Sequence, residues 1–409
     1  MKKFMTGACL VSAIVMAPCG HAGAAADHTK VLIDAAKNLS IADWQATSAQ
    51  WGGKPGAWSI HLKTLHGGRQ EGVQVIEVDN GAMTFTIVPT RGFEIWKAKA
   101  GDLRLGWDSP VREIVHPALV DLADHGGQGW LNGFGGWVVR GGLASFGSPV
   151  MDGDQQLTLH GHVDYTPASY VSVRYEAAPA PRLVFRGVVY DTQMFGPNLR
   201  LTSEISTPLG KPEVSFDDAI TNLSDAPQEM EALYHTNFGT PLLGAGAEFV
   251  APVRHVAPMN EASAANNLDG WNIYTGPHAP GYAAQVFMLQ LNADKAGETE
   301  AMLKSADGTH GALMRFNIHE LPVMSLWKNE GPARSGYVTG LEPGTGYPNA
   351  RPVERAAGRV PLLKGGQSYH IHLTVSALMS GAEVSQAAQA IRRLAPSPPV
   401  VQKTPPATP

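Results

Sequence analysis

Cysteine is almost missing from this sequence of 409 residues, since only Cys9 and Cys19 occur and both lie within the first 26 positions. Those positions resemble a secretion signal, because Lys2 and Lys3 precede a mostly apolar stretch that ends in small residues. Without them the chain contains no thiol, which excludes disulfides, cysteine nucleophiles and cysteine-ligated metals. We therefore predict a cleavable signal peptide over residues 1–26 and a periplasmic location for the exported protein.

Charged residues are also scarce, at 16% of the sequence against about 25% in typical globular proteins. With residues 1–26 set aside, 29 Lys and Arg face 36 Asp and Glu, a formal charge of −7 with neutral histidines. No basic cluster offsets this charge, which argues against binding to nucleic acid or to an anionic membrane. No apolar stretch reaches the roughly 20 residues of a membrane helix. The expected partner is a small polar or neutral molecule.

What the sequence does contain is a series of short runs rich in Val, Ile, Thr and Phe, separated by Gly, Pro, Asn or Asp, which is typical of strands. The clearest runs cover residues 73–78, 83–88, 183–189, 199–205, 285–291 and 369–375. No helices of ten to fifteen residues alternate with them, which argues against a parallel α/β sheet and for a sandwich or barrel. We predict one all-β domain over residues 27–395.

Two short helices are predicted at the ends of this domain. The apolar spacing of residues 30–46 suits an amphipathic helix. Residues 380–394 begin with Ser380 as a possible N-cap and Glu383 in capping-box position. The proline-rich residues 396–409 cannot pack a core, and we predict that they form a disordered tail.

The segment 125–147 combines nine glycines with aromatic residues, among them Trp130, Phe134 and Trp137. Glycine permits close backbone approach, and aromatic rings offer flat apolar surfaces, so the segment suits the wall of a sugar pocket with Trp137 as a contact. The alternative is a flexible loop whose aromatic residues cover the core. The glycines do not form a dinucleotide fingerprint, because no GxGxxG motif stands in a βαβ unit.

Two histidine motifs are candidates for chemistry. In a strand, His160 and His162 share one face, so the pair could bind sugar hydroxyls or join a metal site if further ligands converge. His235 and Asn237 alternate with apolar or small residues and could project into one cleft. The alternative for each is a structural histidine, for example one paired with a backbone carbonyl.

Glu342 stands between an apolar stretch and a loop rich in Gly and Pro. Partial burial there would raise its pKa from about 4.3 toward the range of a general base. Alternatively, it is a surface residue that caps a turn. Trp327 and Lys328 could supply a stacking face and a hydrogen-bond donor to a sugar, or they could simply end a strand.

The order of three motifs, HG at 160–161, YHTNF at 234–238 and GLEP at 340–343, resembles the aldose 1-epimerase (galactose mutarotase-like) superfamily. With RGGL at 140–143 and TPA at 166–168, the sequence is similar to a bacterial branch that is labelled only as aldose-epimerase-like. The motifs are short, but their order and spacing are specific.

The resemblance covers roughly residues 65–378 and implies a β-supersandwich with its pocket on the concave face of one sheet. By this resemblance Glu342 matches the general base and His235 the general acid. His160 matches the histidine that holds the ring oxygen or a nearby hydroxyl. Arg91 looks like the early arginine that contacts substrate oxygens.

Two features depart from the family pattern. His162 stands where typical mutarotases carry an aromatic residue, and segment 125–147 is not part of the simplest pattern. His162 also raises the possibility of a divalent metal site. That site would be made of His160, His162, His235 and Glu342.

The resulting prediction is a carbohydrate-active isomerase that interconverts sugar anomers by acid–base catalysis, with no cofactor expected. A first alternative is an isomerase or lyase that acts on a modified or keto sugar, in which a divalent ion polarises the carbonyl. A second is a non-catalytic periplasmic sugar-binding protein. The oligomeric state is not predicted, since no heptad pattern marks an interface.

Overall fold

The structure, a computed structural model, describes residue 1 and residues 28–51, 53, 54, 56–265 and 268–406. The predicted signal peptide, apart from residue 1, lies outside the described residues. Strands dominate the described part of the chain. In chain order they are β1 His28–Asp34, β2 Leu39–Ser40, β3 Trp44–Thr47, β4 Ser59–Thr64, β5 Gln74–Asp79, β6 Met83–Val88, β7 Glu94–Ala100, β8 Leu103–Leu105, β9 Val138–Leu143, β10 Val150–Asp152, β11 Gln155–Leu157, β12 Tyr170–Glu176, β13 Arg182–Thr192, β14 Asn198–Pro208, β15 Glu213–Asn222, β16 Gln228–Glu229, β17 Glu231–Phe238, β18 Glu248–Val250, β19 Val253–Pro258, β20 Gln285–Leu291, β21 Glu298–Lys304, β22 Gly311–Asn317, β23 Val323–Asn329, β24 Val338–Gly344, β25 Leu362–Leu363, β26 Ser368–Leu378 and β27 Val400–Val401.

Most of these strands form two large sheets. One sheet has ten strands in the order β18-β21-β22-β26-β15-β14-β13-β12-β1-β2. The other has thirteen, in the order β27-β19-β20-β23-β24-β17-β9-β7-β6-β5-β4-β3, with β8 beside β7. Neighbouring strands are antiparallel except β19 and β27, which are parallel. Two small sheets, β10-β11 and β16-β25, complete the described strands.

The main hydrophobic core contains buried side chains from both large sheets. Phe85 of the thirteen-stranded sheet meets Phe185 of the ten-stranded sheet edge to face, with ring centroids 6.2 Å apart. Alternate residues of a strand point to opposite faces, so each core residue has neighbours that point out of the sandwich. The outward face of the thirteen-stranded sheet is therefore free to carry a site.

This architecture confirms the all-β prediction. The six runs predicted from composition lie largely within β5, β6, β13, β14, β20 and β26.

The helices of the described residues are α1 Asp124–Gly127, α2 Glu261–Ala265, α3 Arg351–Ala356 and α4 Gly381–Leu394. The predicted C-terminal helix is confirmed as α4. The Ser380 side chain accepts a hydrogen bond from the Glu383 backbone N–H, and the Glu383 carboxylate accepts bonds from Met379 N and Ser380 Oγ. No helix in the described ranges combines the length and apolar character needed to cross a membrane.

The predicted N-terminal helix is wrong. Residues 30–34 belong to β1, which pairs with β12, and only the three residues Ala35–Lys37 form a turn of 3₁₀ helix. Val31 and Ile33 are β-branched and favour strands, and the edge of β12 offers backbone groups with which they pair. Tertiary pairing therefore overrides the helical spacing of the apolar residues.

Within the segment predicted to be a disordered tail, two residues are placed in a strand. Val400 and Val401 form β27 beside His255 and Val256 of β19. The Gln402 N–H donates to the Val256 carbonyl at 2.9 Å. These three tail residues are free of proline, so they can pair with a strand edge where the flanking prolines cannot.

Candidate active site

The centre of the thirteen-stranded sheet brings two of the predicted catalytic residues onto one face. The register pairs Ser325 on β23 with Glu342 on β24. The pairing of β24 with β17 places Glu342 opposite His235, and His235 in turn lies opposite Val139 on β9. Directly opposed residues of antiparallel strands share a face and lie close together. Distant parts of the sequence thus meet in one row across the sheet.

Glu342 and His235 form a close pair, with 3.2 Å between Glu342 Oε1 and His235 Nε2. The His160 ring stands edge to face against the His235 ring at a centroid distance of 5.3 Å. The structure therefore assembles all three predicted catalytic side chains.

His160 reaches the pair from a turn rather than from a strand. Its φ is +55° and that of Gly161 is +71°, so both residues are left-handed. Such backbone is uncommon for a residue with a side chain and is costly unless the surroundings hold it. His160 Nδ1 lies 3.1 Å from the Phe146 carbonyl, and because a carbonyl only accepts, Nδ1 carries the proton and Nε2 is left as an acceptor.

Burial governs the ionisation of all three groups, since the exposed fractions are 2% for Glu342, 5% for His235 and 8% for His160. Burial raises the pKa of Glu342 to about 8 and lowers the pKa of His160 to about 4. The pKa of His235 is lowered well below 6.5 by burial and, secondarily, by repulsion from His160, while Asn237 opposes this. Near neutral pH the carboxyl keeps its proton and both imidazoles are neutral.

Several buried polar atoms of this row lack hydrogen-bond partners among the described residues. They are Glu342 Oε1, His235 Nδ1, Asn237 Oδ1 and Ser325 Oγ. The contact between Glu342 Oε1 and His235 Nε2 is close but lacks the alignment of a hydrogen bond. A buried polar atom without a partner costs about 1–3 kcal/mol, so such a concentration calls for a functional explanation.

The glycine-rich segment covers the three residues instead of forming an open wall. The Trp130 ring lies 4.6 Å from the His160 ring, and the Phe134 ring lies 5.2 Å from the His235 ring. Trp327 closes another side, at 5.4 Å from the His235 ring. We call residues 129–136 of this segment the cover. The cover accounts for the burial of the site and therefore for the direction in which its pKa values are shifted.

Backbone carbonyls anchor this cover to the molecule. The Tyr165 hydroxyl donates to the Trp130 carbonyl at 2.5 Å, and Asn237 Nδ2 donates to the Gly136 carbonyl at 3.0 Å. Arg91 Nη1 donates to the Gly133 carbonyl at 2.8 Å. Asn237, predicted to bind substrate, is fully buried and holds the cover and the His235 carbonyl.

Arg91 is also placed differently from the prediction that it contacts substrate. Its side chain is 1% exposed, Nη2 pairs with Asp164 at 2.7 Å, and the guanidinium lies over the Tyr165 ring. Glu94 Oε1 lies 3.6 Å from Nε. In this closed arrangement Arg91 supports the cover from behind.

Two further predicted contacts lie outside the site. Lys328 follows Trp327 on β23 and therefore points to the other face, where Nζ donates to the Ile273 carbonyl at 2.8 Å and lies 3.0 Å from Glu330. Trp137 is buried in the main core against Phe238. Of the two predicted aromatic contacts, Trp327 lies against the His235 ring and Trp137 does not.

His162 is separated from His160, and the prediction that they share a face is wrong. The left-handed backbone at His160 and Gly161 breaks the alternation that a strand would impose. The His162 side chain is 51% exposed, with Nδ1 3.8 Å from Asp191. The four-residue metal set is thus not assembled, and the described residues contain no group of three His, Cys, Asp or Glu suited to a metal ion.

Sequence reasoning missed two kinds of site residue. Ser325 gave no signal, because only the register of β23 reveals that it lies opposite Glu342. Gly340 lay within a recognised motif, but its role is visible only in space. A Cβ there would stand 2.3 Å from Glu342 Oε1 and 2.9 Å from His235 Cε1, so the pair fits only because residue 340 is glycine.

Comparison with known proteins adds two kinds of similarity. The family described as "Domain of unknown function (DUF4432)" matches residues 70–377. A solved structure from Klebsiella pneumoniae, described as a "putative aldose 1-epimerase", is 36% identical, with 93% of this chain and 100% of that chain covered and a TM-score of 0.90. No curated protein sequence is similar enough to count as a relative.

More distant structures share the fold. A galactose mutarotase-like protein from Clostridium acetobutylicum is 13% identical, with 78% of this chain and 98% of that chain covered and a TM-score of 0.53. A galactose mutarotase related enzyme from Lactobacillus acidophilus is also 13% identical, with 74% and 97% covered and a TM-score of 0.50. The predicted galactose mutarotase-like fold is therefore confirmed.

Proposed function

The chain belongs to the DUF4432 family, within the aldose 1-epimerase-like (galactose mutarotase-like) superfamily, and on that premise we propose that it is a carbohydrate isomerase that interconverts the anomers of an aldose. The single observation that carries this proposal is the buried pair of Glu342 Oε1 and His235 Nε2, 3.2 Å apart. A carboxyl and an imidazole this close can exchange a proton with each other, and each can exchange one with a substrate oxygen that comes within about 2.6–3.2 Å of it.

Mutarotation needs one proton removed from the anomeric hydroxyl and one delivered to the ring oxygen, while the bond between C1 and the ring oxygen breaks. The pair of Glu342 and His235 holds one proton near neutral pH, and the pKa directions place it on Glu342. Opening from that state has Glu342 protonate the ring oxygen while His235 accepts the hydroxyl proton. Rotation about the C1–C2 bond and closure with the roles reversed give the other anomer.

Transfer of the shared proton to His235 gives the arrangement that the family resemblance implies, with Glu342 as base and His235 as acid. Both arrangements contain the same number of protons, so the reaction requires a singly protonated pair rather than one fixed assignment. Each positioned acid or base contributes about 10²–10⁴ in rate.

We assign His160 to a sugar hydroxyl rather than to the ring oxygen. Its Nδ1 proton is engaged by the Phe146 carbonyl, so only the acceptor Nε2 is available. A hydroxyl can donate to Nε2, whereas a ring oxygen has no proton to offer. Ser325 Oγ, opposite Glu342 and without a hydrogen-bond partner among the described residues, is a further group that a hydroxyl would satisfy.

A sugar reaches these groups only if the cover moves. The three catalytic side chains are at most 8% exposed, and the rings of Trp130 and Phe134 lie directly against both histidines. The proposed cycle therefore includes an open state for entry and a closed state that excludes water during proton transfer.

The test is NMR exchange spectroscopy on the purified protein with a panel of aldoses and keto sugars. We expect accelerated exchange between anomers and a loss of about 10²–10⁴ in Glu342→Gln. The matched control is Glu231→Gln, since Glu231 is also buried with a pKa raised to about 8, yet contacts Phe146 N rather than the pair.

Equal rates for the wild type and Glu342→Gln would refute the catalytic assignment. New compounds in place of anomer exchange would favour the isomerase or lyase on a keto sugar. Metal analysis before and after chelation tests a divalent ion in either reaction. The proposed periplasmic location rests on the sequence of residues 1–26 alone, and N-terminal sequencing of protein from the periplasmic fraction tests it.

A further inference from the structure

A hollow lies on the outward face of the thirteen-stranded sheet, across β3 to β8. Its volume is about 850 Å³, within the roughly 300–1,000 Å³ of small-molecule sites. One row of cross-strand neighbours runs through it from His61 to Glu77, Thr86 and Lys97. We call this hollow the groove.

A β-bulge presents an aromatic side chain to the groove. The register between β6 and β7 shifts between Thr86 and Ile87, which leaves Trp96 as the additional residue on β7. At a bulge two successive side chains can point to the same side, and bulges are common beside functional sites. Accordingly, Lys97 Nζ lies 3.9 Å from the Trp96 ring centroid, and both residues line the groove.

Trp107 joins the groove to the catalytic site. It lines the groove, and its ring lies 5.0 Å from that of Phe134, which is itself 5.2 Å from the His235 ring. Trp107 Nε1 also donates to the Gly136 carbonyl of the cover at 3.3 Å. A ligand in the groove would thus lie directly beside the cover.

The charges of the groove are balanced. Lys97, Lys99 and Arg104 line it together with Glu77, Asp79 and Asp108. Glu77 pairs with Lys63 at 2.7 Å, and Arg104 pairs with Asp108. A groove of this kind does not select an anion or a cation, but it offers many hydrogen-bonding groups to hydroxyls beside two aromatic planes.

We propose that the groove binds the non-reducing sugar units of a neutral oligosaccharide whose reducing-end unit enters the site of Glu342 and His235. This inference rests on the proposed function and adds a substrate class to it. Trp96 and Trp107 stack on the apolar faces of the sugar rings, and the polar rows bind their hydroxyls. The reducing end is free to open, as mutarotation requires.

The test compares glucose with maltose, cellobiose and lactose, which all carry glucose at the reducing end. We expect at least one disaccharide to show a KM about fivefold or more below that of glucose. Trp96→Ala should raise that KM about fivefold to tenfold and leave glucose within about twofold. Trp96→Phe should restore most of the difference, because it keeps an aromatic plane. Phe195→Ala, which removes an exposed ring outside the groove, is the control and should change neither KM.

Saturation-transfer NMR measures how the same sugars bind to Glu342→Gln. This measurement separates the proposed groove from the proposed mutarotation. Disaccharide binding that is lost in Glu342→Gln/Trp96→Ala supports the groove even if the wild type shows no anomer exchange. If every disaccharide binds no better than glucose, or if Trp96→Ala weakens glucose and disaccharides alike, the groove is not an oligosaccharide subsite.

Discussion

Tyr234 and His235 are neighbours on β17, yet they enter two buried polar clusters of opposite character. The Tyr234 hydroxyl points into the core and donates to Asp218 at 2.5 Å. Arg140 donates to the same carboxylate through Nε at 2.6 Å and Nη2 at 3.1 Å, and to Ser203 at 2.7 Å. This core cluster joins β9 to β15 and thereby one large sheet to the other.

The cluster of Glu342, His235 and Ser325, on the other face of the same strand, is incomplete. Glu342 Oε1, His235 Nδ1 and Ser325 Oγ lack hydrogen-bond partners among the described residues, whereas both Asp218 oxygens are paired. A complete buried cluster needs no ligand. An incomplete one reduces stability and is retained when a ligand completes it, which fits the trade-off between stability and activity.

The sharpest test of this contrast makes the same chemical change in both clusters. Asp218→Asn leaves the Arg140 charge buried without its counter-ion and should lower the free energy of unfolding by about 3–5 kcal/mol. Glu342→Gln removes a carboxyl that stays protonated in the folded protein but ionises in the unfolded chain, so at pH 7 this variant should not lose stability and should gain it. Urea unfolding at pH 7 measures both values, and equal losses would remove the distinction between the clusters.

The pH dependence of catalysis provides a second test. Above the pKa of about 8 of Glu342, the pair loses the carboxyl proton that the proposed ring opening uses. The value of kcat/KM should therefore fall about tenfold per pH unit beyond that point. It should stay level toward lower pH until His235 becomes protonated, below 6.5. A rate that instead rises through pH 8 would require Glu342 to act only as an ionised base.

The raised pKa of Glu342 should also make the free energy of unfolding depend on pH, in a direction that can be predicted. The pKa of Glu342 is raised on folding, so the unfolded chain releases this proton between about pH 4.5 and about pH 8 while the folded chain retains it. The wild type should lose stability relative to Glu342→Gln across that window and keep a constant deficit above it. Thermal melts of both proteins at intervals of one pH unit measure this difference, and parallel curves would contradict the raised pKa.

The smallest expected effect concerns the cover. Tyr165→Phe removes the hydroxyl that donates to the Trp130 carbonyl, a bond worth about 0.5–1.5 kcal/mol. Amide hydrogen exchange in residues 129–134 should accelerate about twofold to tenfold, while α4 is unchanged. Unchanged exchange in the cover would show that the other anchors suffice.

The sequence was a good guide wherever side-chain alternation or a motif determined the answer. The strands were predictable from their β-branched runs, and the meeting of Glu342, His235 and His160 in space was predictable from motifs in a family order. The predictions failed where the backbone departs from regular geometry. The left-handed turn at His160 separates it from His162.

Other features depended on contacts that no local pattern encodes. Segment 125–147 contained the aromatic residues of the site, but composition could not tell that Trp130 covers His160 while Trp137 packs in the core. Likewise, the polarity of Arg91 and Lys328 suggested ligand contacts, whereas the fold supplies carbonyls and carboxylates for both. The direction in which each of these side chains points is determined only when the sheets assemble.

The short strand β27 has a consequence for self-association. Val400 and Val401 occupy the hydrogen-bonding edge of β19, which is the last long strand at that side of the thirteen-stranded sheet. Open edges recruit strands from other molecules, which leads to aggregation. The strand is flanked by prolines, namely Pro398, Pro399 and Pro405. Proline has no backbone N–H to donate to an incoming strand. By covering this edge, β27 protects the sheet against edge-to-edge pairing with other copies of the chain.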